Sequence, residues 1–257
     1  MNFDFYRTIK QKKSIIIFST ILLFMLADLV INLLWQFGRE HYNYMTFLTG
    51  QNSVYLQMLS LWLLPIWLLL YTSERYINDK KLGYDNILIG KLGKRKYIFT
   101  LIKVTFISGF LLLFIPLLIN YIMAFLTSWD VPKTHSIDYL YRYEDAAKYS
   151  VEYFGWKHPI FINMLFIIVS SFIAGLLAVT SLCFSFVVPD KRIVYPVVFL
   201  FWFGQIIIRN GSVMDIFQPF TEWGWGKMGF VFTRTVIFCF IIIIPTTIYR
   251  LRRRNVL

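Results

Sequence analysis

Six long apolar runs constrain this chain more than any short motif does. They lie at about 15–35, 54–72, 101–126, 160–188, 193–208 and 228–249. A helix needs ~20 apolar residues to cross a hydrocarbon core ~30 Å thick. In lipid the backbone must satisfy its own hydrogen bonds, so each run is expected to be a helix. The fifth is short, with Pro196 near its start, and the fourth is long enough to tilt. The first run has no small-residue cleavage site and leads into further spans, so it reads as a span and not as a secretory signal. Composition agrees: 58% of residues are hydrophobic and 16% charged, far from the roughly one-quarter charged residues of a soluble domain. The expected fold class is an all-α integral membrane protein with six transmembrane helices in one domain, 1–257.

The net charge of +12 raises the possibility of nucleic acid, but its distribution argues against that partner. Seventeen Lys and Arg residues flank the runs on one side and seven on the other, an asymmetry repeated loop by loop. Basic residues concentrate on the cytoplasmic side of membrane proteins, so both termini and the segment between the second and third runs are expected there. External segments then fall at about 36–53, 127–159 and 209–227. The second holds a candidate amphipathic helix on Ile137, Leu140, Tyr141, Ala147 and Val151. The third is short and rich in Phe, Trp and Pro, as in a loop dipping into the interface or a re-entrant turn buried against protein.

Searches for chemistry give little. The segment 73–96, SERYINDKKLGYDNILIGKLGKRK, holds Gly83 and then Gly90-Lys91, which suggests a phosphate loop. That motif needs four residues between its glycines and a Ser or Thr after the Lys, so that backbone N–H groups wrap the phosphates and the hydroxyl holds magnesium. Here six residues intervene and Leu92 follows Lys91. His41, His135 and His158 have no His or Cys partner at helical spacing, and Cys183 and Cys239 lie alone in apolar runs. No catalytic residues, bound cofactor or metal are expected on this chain, and an enzyme with its own active site is not expected.

Two features remain. Asp28 lies inside the first run, with Asn32 one turn on, and Arg234 lies at a matching depth in the sixth. A carboxylate in hydrocarbon is costly and points to function by default. Two readings fit: an intramembrane charge pair Asp28–Arg234, or Arg234 reaching for the outer headgroups while Asp28 is protonated or faces a wet cavity. The second feature is the segment 73–98 itself. Ile77, Leu82, Tyr84, Ile87 and Leu88 recur at spacings near three and four, with Asp79, Lys80, Lys81, Asp85 and Asn86 between them. That predicts a short amphipathic helix, weakened at Gly83 and closed by Gly90 and Gly93, and then a basic turn at Lys94, Arg95 and Lys96. It suits either anionic lipid on the inner leaflet or a cytoplasmic protein partner.

Six spans, both ends inside, a basic amphipathic segment between spans two and three and the Arg-rich tail YRLRRRNVL together resemble the permease subunit of a type-2 ABC exporter. Gly83, Asp85 and Leu88 match that family's Gly, second acidic residue and Leu. Arg95 and Lys96 match its basic turn, and Lys103 its later Lys. Tyr84 replaces the usual Thr, no Pro stands in the turn, and Lys80-Lys81 stand where acids are usual. The resemblance implies a coupling helix formed by Ile77, Asp79, Gly83, Tyr84, Asp85, Ile87 and Leu88. It also implies a separate cytoplasmic ATPase dimer that binds ATP and Mg, and a second permease, identical or sister. The cargo would be amphipathic: a peptide or bacteriocin, a lipid or a drug. The resemblance places the protein in a bacterial plasma membrane. The alternative is a non-transporting immunity or sensor protein whose basic cytoplasmic loop binds a partner.

Overall fold

The computed structural model describes residues 7–8, 10–36, 56, 58–128, 150–209, 211–217 and 224–253. Most of the first two external segments, including the candidate amphipathic stretch before Ser150, lies outside these residues. Every described element is helical, apart from one bridge between Ser150 and Gly224. In chain order they are α1 (Lys12–Gln36), an irregular helix from Met58 to Ser73 with α2 (Leu64–Leu68) at its centre, α3 (Glu74–Lys81) and α4 (Tyr84–Leu92). Then follow α5 (Lys94–Ser128), α6 (Val151–Lys157), α7 (Pro159–Val187), α8 (Lys191–Ile206), a 3-10 turn Val213–Ile216 and α9 (Trp225–Arg252).

Four of these, within α1, α5, α7 and α9, are long and apolar enough to cross a membrane. They coincide with the first, third, fourth and sixth runs. The second and fifth runs take other forms. The second is split into π-helical turns, Met58–Trp62 and Leu69–Ser73, around α2. The fifth becomes α8, whose 16 residues give a length of roughly 24 Å at 1.5 Å per residue.

Helix α7 is the centre of the bundle. Its largest interface is with α5, and the two backbones nearly touch. A Cβ on Gly109 would lie 2.6 Å from the Cβ of Ala178, and one on Gly175 would lie 2.9 Å from the Phe106 ring. Lipid is as apolar as a side chain, so helices in a membrane gain little by hiding apolar surface from it. Close approach through small residues is how they gain dispersion contacts. Polar residues along α7 are absorbed locally: the hydroxyls of Ser171, Thr180, Ser181 and Ser185 each donate to the carbonyl four residues back. Across helices, Asn120 Nδ2 on α5 donates to the Met25 carbonyl of α1 at 2.7 Å.

Pro65 accounts for one long-range contact. It has no N–H, so the Leu61 carbonyl loses its i+4 donor. The indole N–H of Trp202 on α8 donates to that carbonyl at 2.9 Å instead. Within the irregular helix the Trp67 indole N–H donates to the Leu59 carbonyl at 2.9 Å. At one end of the bundle α6 and α9 meet through the Ser150–Gly224 bridge and the edge-to-face pair Phe154–Trp225. At the other end lie the start of α1, the α3–α4 hairpin, the α7–α8 turn and the end of α9. This second end carries most of the described Lys and Arg residues and is called the basic end below.

Candidate functional site

The hairpin at the basic end forms because of two glycines. Gly83 sits at φ 70 between α3 and α4, and Gly93 at φ 77 ends α4. Both are left-handed positions that a Cβ disfavours. Gly90, expected to end the helix, lies inside α4. The break at Gly83 also resets the helical register, so the five apolar residues of this segment do not share one face. Ile77 is fully buried against Leu69, Val194 and Val198. Leu88 packs on the cluster of Tyr76, Tyr97 and Phe186. Leu82 and Ile87, at 82% and 54% exposure, point away from the bundle. Tyr84 is half-buried, beneath the Arg7 guanidinium 4.9 Å from its ring centroid.

The three acids of the segment each hold a cation from elsewhere in the chain. Asp79 is gripped by both terminal nitrogens of Arg7, at 3.1 and 2.6 Å, with Arg75 Nε at 3.6 Å. Arg75 also donates to the Thr8 hydroxyl at 2.7 Å. Asp85 accepts from Arg250 at 3.1 Å, and both side chains are almost wholly buried. Glu74 accepts from Lys13 at 3.3 Å and from Lys191. Lys94 adds a bond to the Arg253 carbonyl. The hairpin is thus tied to α1, α8 and α9 by charge-assisted bonds.

The electrostatics follow from this geometry. Burial pushes the Glu74 carboxyl up, but the hydrogen bonds and charges of Lys191 and Lys13 outweigh it and hold the group below its usual range. Burial, then the charges of Arg250 and Arg253, lower Lys80. Burial pushes the Tyr76 phenol up to about 12, so it stays neutral at physiological pH. Among the described residues, no three His, Cys, Asp or Glu side chains gather to hold a metal ion.

Of the predicted site residues, the structure brings Asp79 and Asp85 into buried ion pairs and puts Ile77 and Leu88 in packed cores. Ile87, Arg95 and Lys96 are on the surface. Asp28 and Arg234 are not joined: among the described residues no ion pair links them. Arg234 instead donates to the Gly211 carbonyl, a nearer acceptor presented by the turn before α9. Asp28 is buried in α1. The residues that sequence reasoning missed are Arg7, Lys13, Glu74, Arg75, Lys191 and Arg250. The available signal was the presence of three acids in an otherwise basic region, each of which needs a cation once buried.

No family model matches the chain, and no solved structure matches it. The chain is similar to the uncharacterized protein YybM of Bacillus subtilis (strain 168), at 33% identity over 250 residues and 96% of each sequence.

Proposed function

The chain belongs to the family of the Bacillus subtilis protein YybM, and from its apolar runs and the geometry of its basic hairpin we propose that it is the membrane-spanning permease subunit of an ATP-driven exporter resembling the type-2 ABC family. In this reading all six apolar runs cross a bacterial plasma membrane, with the irregular helix and α8 as spans two and five. Both termini and the basic end face the cytoplasm. A separate ATPase dimer binds ATP and Mg, a second permease completes the assembly, and the cargo is amphipathic.

One observation supports this most. The α3–α4 hairpin offers Leu82 and Ile87 outward beside exposed Lys91, Arg95 and Lys96, while its buried acids are tied to α1, α8 and α9. A force applied to the exposed face would reach three helices through charge-assisted bonds. That is what a lever between an ATPase and a bundle needs. A ligand shifts such an equilibrium only by binding its two states differently, so both ATPase and cargo must distinguish them.

The test is purification of the tagged chain from its bacterial membrane in mild detergent. An ATP-hydrolysing subunit is expected to co-purify. Leu82→Asp with Ile87→Asp should abolish that association without lowering the melting temperature, because both side chains are exposed. If no ATPase associates, or the double variant retains it, the coupling role fails and the immunity or sensor reading takes its place.

A further inference from the structure

Arg250 is committed to Asp85, but Arg252 and Arg253 are exposed, and no ion pair among the described residues engages either guanidinium. The Arg253 guanidinium lies 5.8 Å from the centre of the Tyr249 ring. With Ile244, Pro245, Ile248 and Tyr249 these arginines line a surface depression of about 610 Å³. At Pro245 it adjoins a second, almost wholly apolar groove of about 290 Å³ between the α7–α8 turn, α8 and α9, lined by Val187, Ile193, Val197 and Ile241 among others. Along α9, Ile241, Pro245, Ile248 and Arg252 recur at spacings of three and four and so share one face. From Ile241 to Arg252 the helix rises roughly 16 Å, about half the thickness of a hydrocarbon core.

An apolar channel one leaflet deep, ending in two guanidinium groups that no acid among the described residues pairs, has the shape and charge of a phospholipid. A free phosphate would leave the groove uncovered, and a zwitterionic lipid, whose phosphate is offset by its own ammonium, would leave the arginines without a net counter-charge. Guanidinium groups bind phosphate oxygens through paired N–H donors. We propose that this groove holds one anionic phospholipid, with its headgroup on Arg252 and Arg253 and an acyl chain along Ile241–Ile248. The site rests on the chain lying in a membrane and does not depend on its being an exporter.

The test is native mass spectrometry of the full chain in detergent with equal amounts of phosphatidylglycerol and phosphatidylcholine. The single-lipid adduct should favour phosphatidylglycerol by about thirtyfold, the scale of two basic residues facing an anionic headgroup. Arg252→Gln with Arg253→Gln should bring the two lipids to parity at an unchanged melting temperature. Ile248→Trp, which fills the groove, should weaken retention of both lipids. Lys91→Gln with Arg95→Gln and Lys96→Gln, equally exposed but on the hairpin, should leave the preference intact. Equal retention by the unaltered chain overturns the proposal. So does loss of preference in the hairpin variant, which would mean diffuse attraction. Displacement by excess inorganic phosphate would assign the arginines to a free anion. A disulfide-linked dimer of Ile248→Cys, with no lipid adduct, would give the face to a second copy. Recovery of the chain in the soluble fraction would refute the membrane premise, and that result is read before any lipid is added.

Discussion

At the residue scale the buried pair Asp85–Arg250 is the sharpest case. Two charges out of water are tolerable only together, and removing one leaves the other without compensation. Asp85→Asn is therefore expected to destabilise the protein by about 3–5 kcal/mol, and Arg250→Met similarly. Asp85→Leu combined with Arg250→Met should recover most of the loss, since an apolar pair of similar volume is often as stable. Thermal unfolding of the four proteins in one detergent checks this. Glu74 gives a pH dependence of definite sign. Its folded-state pKa is lowered, so its contribution is present above the unfolded value near 4.3 and is lost as pH falls through the folded one. The melting temperature should fall in acid, and Glu74→Gln should flatten that slope. None of these partners was legible beforehand. Asp79, Asp85 and Glu74 could be read as acids in need of cations, but Arg7 is 72 positions from Asp79 and Arg250 is 165 from Asp85. Local spacing carries no information across such distances.

At the scale of elements, helix length was legible and helix interior was not. Runs one, three, four and six stand out because unbroken apolar length is a local property, and they match α1, α5, α7 and α9. At the first π turn of run two the Leu61 carbonyl, left without its i+4 donor by Pro65, is met by a donor from α8, and only the Pro is visible locally. The hairpin was legible in place but not in facing, because Gly83 alters the register after it. Three glycines should therefore respond differently to alanine. Gly109→Ala forces a backbone shift at the α5–α7 crossing and should cost about 1–3 kcal/mol. Gly83→Ala places a side chain at φ 70 and should cost about 1–2 kcal/mol. Gly90→Ala meets open space inside α4 and should stabilise by about 0.5–1 kcal/mol. Melting temperatures of the three variants rank these effects.

At the scale of the molecule, the charge asymmetry read from the sequence gathers at one end of the bundle, where it ties the hairpin down and, in the proposed topology, orients the chain. In a background with both natural cysteines replaced by Ala, Lys12→Cys and Lys91→Cys should react with a membrane-impermeant maleimide only after cells are opened. Lys227→Cys should react on intact cells, and the reverse pattern would refute the proposed orientation. The Trp202–Leu61 contact has a consequence for how the protein is made. In a bilayer the Leu61 carbonyl has no water to turn to, and its donor lies 141 positions later in the chain. On the proposed six-span topology, the second apolar segment leaves the ribosome with a backbone acceptor that stays unsatisfied in lipid until the fifth has been synthesised. In that topology insertion is not a series of independent helices threaded one after another; an early span waits in the membrane for a late one to complete it.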